Sequence, residues 1–246
     1  MNTTRLGYSV EGRNFCGQLA CPDVRGKVPG VLIIPEAPGL GPHAIRRAAA
    51  LAQMNCVAFA ADLHGDGVLL DDPKIVRASI DELTREPDQL HRRLQASLQA
   101  LTQVPQVDPE RMAAIGYCFG GWCALELARN GAPLRGVAIF HGSVSSPRVD
   151  SARHIRAKLL VCSGASDPLV PVEQITAFSQ EMTAAGVDWQ VHLYGGTFHG
   201  FTSPEAGGNS LPGFAYSALA DRRSWAELRT FLGEMFDMEM AHGFHG

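Results

Sequence analysis

Uninterrupted apolar runs constrain this chain more than any other feature. They are Gly30-Val31-Leu32-Ile33-Ile34-Pro35, Cys56–Ala61, Met112–Gly116, Gly136–Phe140 and Leu159–Ser163. Each has the length of a strand and none alternates, so each must be covered on both faces. Between them lie stretches with helical spacing: His43–Met54, two pieces from about Pro73 to Leu101 broken near Pro87, Gly121–Asn130 and Glu173–Ala185. Trp189–Tyr194 reads as the last strand. A helix near Ala220–Phe236 closes the chain and leaves a frayed His242–Gly246 tail. Strands alternating with helices predict a parallel sheet wound on both faces. Ahead of them, Arg5–Val10 and Phe15–Ala20 alternate around Glu11-Gly12-Arg13-Asn14, which predicts a hairpin. The expected class is α/β: a mostly parallel, doubly wound sheet with an N-terminal antiparallel hairpin. No repeat, low-complexity tract or linker-like shift interrupts the 246 residues, so one domain over 1–246 is the simplest reading.

Charge narrows the partners. Lys and Arg number 21 against 25 Asp and Glu, and no basic stretch stands out, so nucleic acid is a poor fit. No segment is long and apolar enough to span a bilayer, and Met1-Asn2-Thr3-Thr4-Arg5 lacks a signal-peptide core, which makes the cytoplasm the default location. The six cysteines, Cys16, Cys21, Cys56, Cys118, Cys123 and Cys162, form no CxxC or Cys/His run. They read as free thiols, mostly buried, with no metal site.

Ligand sites in such sheets lie at the carboxyl ends of the strands. After Met112–Ile115 comes Gly116-Tyr117-Cys118-Phe119-Gly120-Gly121, a G-x-C-x-G turn between strand and helix. It has the form of a nucleophile elbow with sulfur in place of oxygen. The tight turn leaves no room for flanking side chains, and the helix N-terminus favours a thiolate. A buried cysteine in a small-residue turn would also fit. After Leu159–Ser163, Ser166-Asp167-Pro168 offers an acid, although Asp-Pro is also ordinary turn chemistry. After Trp189–Tyr194 comes His199, one of nine histidines, within Gly195-Gly196-Thr197-Phe198-His199-Gly200-Phe201. An imidazole there suits a general base and acid. The order Cys118, Asp167, His199 is the nucleophile–acid–base order of the elbow fold. The loop Pro35-Glu36-Ala37-Pro38-Gly39-Leu40 stands where that fold supplies one oxyanion N–H, which assigns the two donors to Ala37 and Phe119. Read alone, Glu36 is a solvated loop glutamate.

Together these motifs resemble the dienelactone hydrolase family over nearly the whole chain. The resemblance rests on Glu36 with Gly39-Leu40, Asp62-Leu63, the Cys118 elbow, Ser166-Asp167-Pro168 and His199-Gly200-Phe201. It implies an α/β-hydrolase fold without a large cap domain, a Cys118–His199–Asp167 triad, and neither metal nor organic cofactor. It also implies that Glu36 contacts the resting thiol and helps generate the thiolate. Two departures bear on substrate. The loop has Pro35 before Glu36 and small residues after it. The segment Gly200-Phe201-Thr202-Ser203-Pro204 also lacks the arginine with which dienelactone enzymes hold a substrate carboxylate. Arg77 lies in the region from which another could come. Tyr117 and Phe201 are expected to line the pocket and Trp122 to join the core. Helix capping and solvation account for His43 and His64. The expected activity is hydrolysis of a small ester or lactone, an enol lactone for preference, through a Cys118 thioester. A general aryl or carboxyl esterase, a non-catalytic ligand-binding relative and a thiol redox protein using Cys118 with Cys123 are the alternatives. A monomer is the default and a homodimer is allowed.

Overall fold

Glu11 and Gly12 both take a positive φ, 51° and 81°. That is the backbone a two-residue hairpin turn needs if its twist is to match the strands it joins. The strands β1 (Asn2–Val10) and β2 (Arg13–Cys21) therefore pair from Val10↔Arg13 outward, and the connection is two residues shorter than the sequence suggests. The computed structural model describes residues 1–148, 150–206 and 212–238, so the expected frayed tail at His242–Gly246 lies outside the described residues. The chain divides into two compact units, one running from Met1 to Ala114 and the other starting at Ile115.

In the first unit β3 (Val28–Ile34), α1 (Pro42–Gln53), β4 (Val57–Ala60), α2 (Pro73–Arg85) and α3 (Pro87–Thr102) follow the hairpin. The three helices each begin on proline, whose missing N–H is one the first turn cannot use. Asp72 caps α2 by accepting the Lys74 N–H at 2.8 Å. The strand order is β1-β2-β4-β3-β5, with β2 antiparallel and β3 parallel to β4. β3 and β4 are buried almost throughout, as their unbroken apolar runs require.

The strand β5 (Val107–Tyr117) begins earlier than expected. Its lead-in Asp108-Pro109-Glu110 has turn composition, yet it stays extended, with Arg111 Nε closing onto Asp108 Oδ2 at 2.7 Å. From its end the second unit continues through α4 (Phe119–Arg129), β6 (Gly136–Phe140), β7 (Lys158–Gly164), α5 (Val172–Ala184), β8 (Trp189–Tyr194) and α6 (Ala218–Phe236). The order is β5-β6-β7-β8, and β7 is parallel to both its neighbours. The α6 ring of Phe231 lies so close over Gly136 that a Cβ there would come within 2.8 Å of it. Fully buried Arg129 on α4 is held by Glu181 on α5 through two bonds of 2.5 and 2.6 Å. A buried guanidinium requires such a bidentate partner. The fold is thus α/β as expected, a mostly parallel eight-stranded sheet led by an antiparallel hairpin. Among the described residues no helix is long and apolar enough to cross a membrane.

Candidate active site

Cys118 joins β5 to α4 with φ 54° and ψ −120°, a conformation that L residues rarely adopt. Strain of this kind persists only where the surroundings enforce it. Here they do. A Cβ on Gly116 would lie 2.0 Å from the Gly120 carbonyl oxygen, and one on Gly142 would lie 2.8 Å from that of Cys118. The Cys118 carbonyl accepts the Gly121 N–H at 3.0 Å. The half-buried side chain stands at the N-terminus of α4, where the helix dipole favours a negative sulfur.

The loops after β7 and β8 are pressed together. A Cβ on Gly164 would come within 2.3 Å of the Thr197 carbonyl oxygen, which accepts the Ser166 N–H at 3.0 Å. That approach sets Asp167 Oδ2 2.8 Å from His199 Nδ1. The other Asp167 oxygen accepts the Leu169 N–H at 2.8 Å, and the His199 N–H donates to the Gly213 carbonyl at 3.0 Å. Both side chains are almost wholly buried. Burial opposes charge on the ring. Hydrogen bonding to Asp167 and to Cys118, with the negative charge of each, outweighs it and lifts the His199 pKa to about 10. His199 therefore carries its proton through neutral pH. Removing the sulfur in Cys118→Ala removes two of the raising causes and leaves the burial, so the ring should titrate at lower pH in that variant. Imidazole ¹⁵N shifts followed against pH test this, and an unchanged titration would contradict it.

In the first unit Glu36 is not a solvated side chain. His43 Nδ1 lies 2.5 Å from Glu36 Oε1, and Arg47 Nε donates to His43 Nε2 at 3.1 Å. Because Nε2 accepts, the ring proton sits on Nδ1 and faces Glu36. Burial penalises the carboxylate, but His43 and then Arg47 more than offset that and hold its pKa below the ordinary range. His64 is likewise buried. Its Nε2 donates to the Ala37 carbonyl at 2.8 Å while Nδ1 meets Ser79 Oγ at 2.9 Å. Capping and solvation therefore account for neither histidine, because each is committed to the loop that holds Glu36 and Ala37. Asp62 organises the neighbouring loop by accepting the N–H groups of Cys16, His64, Gly65 and Gly67 at 2.7–3.0 Å.

Other expectations shift. Tyr117 and Phe201 are fully buried, the first stacked on Phe140 at 4.9 Å and the second edge-on to His141 at 5.2 Å. They support the loops from beneath instead of lining open space. Trp122 is half-exposed, not core: it stacks on Phe119 at 5.7 Å and donates to the Ser145 carbonyl. Arg77 stands on the exposed face of α2, paired with Asp81 at 3.0 Å. Cys123 is fully buried, and burial pushes its thiol well above the ordinary range. Among the described residues no three His, Cys, Asp or Glu side chains gather as metal ligands. Sequence reasoning passed over His141, fully buried beside Cys118 and His199.

Comparison with known proteins agrees with this architecture. A dienelactone hydrolase-like promiscuous phosphotriesterase from metagenomic libraries has a similar solved structure. It is 40% identical, with a TM-score of 0.92 over 96% of this chain and 98% of that one. An uncharacterised protein of Caenorhabditis elegans is 37% identical over 153 residues, 58% of this chain and 92% of its own length. A putative carboxymethylenebutenolidase of Synechocystis is 23% identical over 98% of both chains. The model of the dienelactone hydrolase family matches residues 15–236, from β2 to the end of α6. With that span matched, the chain belongs to the dienelactone hydrolase family, hydrolases of carboxylic esters and lactones.

Proposed function

We propose that this protein hydrolyses small activated esters or lactones by covalent catalysis at Cys118. The observation that carries the reading is His199 held at 2.8 Å by Asp167, with its basicity raised by Cys118 on the strained elbow. The resting pair is a Cys118 thiolate and a His199 imidazolium oriented by Asp167. Sulfur attacks the carbonyl carbon, and the carbonyl π pair moves to oxygen. The Phe119 N–H, first in α4 and without a partner inside the helix, stabilises that oxyanion. The tetrahedral intermediate collapses, the acyl C–O bond breaks, and His199 gives its proton to the departing oxygen. The neutral imidazole then takes a proton from water, which attacks the thioester. Expulsion of the thiolate releases the acid and, beside the imidazolium formed in that step, restores the resting pair. Glu36 is ionised beside His43.

Leaving-group chemistry selects the substrate. A thiol near pKa ~8.5 leaves more readily than an alkoxide, so an alkyl ester adduct returns mostly to starting material. A phenol near ~10 competes far better. Enol lactones and aryl esters are therefore preferred. Half-buried Phe119 and Trp122, with exposed Leu169 and Phe198 beside Asp167 and His199, offer an apolar surface for such groups.

The test is turnover of cis- and trans-dienelactone, an aryl acetate, an ethyl ester and a phosphotriester. The last is included because of the 40% identical relative. Lactone and aryl acetate hydrolysis well above that of the ethyl ester is expected. Aryl ester turnover alone would replace the lactone assignment with a general aryl esterase. No turnover of any of them would favour a ligand-binding relative.

A further inference from the structure

His141 follows the last residue of β6 with φ 40° and is completely buried. Its backbone N–H donates to the Cys162 carbonyl at 2.9 Å, which continues the β6–β7 ladder and fixes the main chain. The side chain does something else. The Cys118 N–H is shared between the Phe140 carbonyl oxygen at 3.0 Å and His141 Nδ1 at 3.1 Å. An amide N–H can only donate, so Nδ1 accepts and the proton of the neutral ring is on Nε2. Nε2 lies 2.8 Å from Thr202 Oγ1, in the loop three residues beyond His199. The ring also stands edge-on to the His199 imidazole at 5.2 Å and to Phe201 at 5.2 Å. One neutral imidazole thus grips the backbone of Cys118 on one side and the loop of His199 on the other.

We infer that His141 is a positioning residue for hydrolysis, fixing the Cys118 elbow and the His199 loop against each other through its Nδ1 and Nε2 bonds. The inference rests on Cys118 being the nucleophile. A residue held at φ 54° relaxes unless its peptide groups are tied, and the Cys118 N–H is one of those ties. Losing one of its two acceptors lets the sulfur drift relative to the His199 ring. Proton transfer and attack depend steeply on such distances, whereas substrate binding depends on them little. The left-handed backbone narrows the choice of residue at this position, since histidine, asparagine and glycine tolerate it better than most others.

The experiment compares His141→Asn, His141→Gly and Thr202→Val with wild type, using phenyl acetate as substrate and circular dichroism to confirm folding. Asparagine adopts a positive φ and keeps a side-chain acceptor near the place of Nδ1. Glycine accepts the same backbone without an acceptor. The glycine variant should lose about 10²-fold in kcat with KM changed less than about 3-fold. The asparagine variant should recover most of that loss, and Thr202→Val should fall between them. Equal kcat in folded glycine and asparagine variants, or a loss carried by KM alone, would overturn the role. If the glycine variant does not fold, Thr202→Val decides, because wild-type kcat there removes the second anchor. Cys118→Ala, assayed alongside, keeps the two ideas apart. Activity retained in that variant discards the nucleophile itself. Its loss beside wild-type kcat in His141→Gly discards only the positioning role.

Discussion

Cys118→Ala should abolish hydrolysis of aryl acetates, lowering kcat by about 10⁴-fold or more, as expected when the nucleophile of a cooperating set is removed. The size follows from the proposed chemistry. Without sulfur there is no covalent intermediate, and His199 retains only Asp167 of the two groups that raise its basicity. Residual turnover would come from water activated by the imidazole. The protein should remain folded, because a half-buried side chain on a turn is deleted and no core cavity opens. Mass spectrometry of wild type quenched during turnover should show the acyl adduct on Cys118. Turnover surviving in the variant, or an adduct elsewhere, would discard the mechanism. The pH profile is a companion readout. The kcat/KM of wild type should fall as pH rises through about 10, where His199 loses the proton it gives to the leaving group.

Gly116→Ala should have the largest effect on stability. The added methyl would sit 2.0 Å from the Gly120 oxygen, 2.4 Å from its carbonyl carbon and 2.7 Å from the Gly121 nitrogen. All three are backbone atoms of the turn, so no side chain can swing aside. The first turn of α4 must move or the elbow must open, at a cost of about 4 kcal/mol or more. Gly195→Ala is the control, since no heavy atom lies within 4 Å of its would-be methyl and its φ is not positive. It should be neutral or stabilising by about 0.4–1 kcal/mol through reduced freedom of the unfolded chain. Urea unfolding midpoints of the two variants measure the contrast. Similar midpoints would show that the elbow yields more easily than its geometry implies.

The elements were legible because they follow local rules. Unbroken apolar runs became buried strands, and prolines marked the starts of α1, α2 and α3. The closeness of Asp167 and His199 was legible because the loops that carry them follow the adjacent parallel strands β7 and β8. The same rule was available for His141, which directly follows β6, but an imidazole without a recognisable neighbour motif carries no signal of its own. The Glu36–His43–Arg47 chain was hidden for another reason. It depends on α1 turning His43 and Arg47, one helical turn apart, back toward the loop before it. Spacing shows that two residues share a helix face but not what that face meets. Trp122 misled because its apolar size suggested burial, whereas its ring stacks on half-buried Phe119 and its indole N–H is spent on the Ser145 carbonyl.

The thiols divide the molecule in a way that bears on oxidative damage. Cys56, Cys123 and Cys162 are buried, and burial pushes all three toward the unreactive protonated form. A thiolate kept beside an imidazolium is the form that peroxides attack, and sulfenic acid is recovered most readily when a second thiol can reach it. Cys123, five residues on in the chain, is sealed inside α4. On the proposed chemistry, the arrangement that makes Cys118 a ready nucleophile also exposes it to oxidants without Cys123 as a rescuing partner.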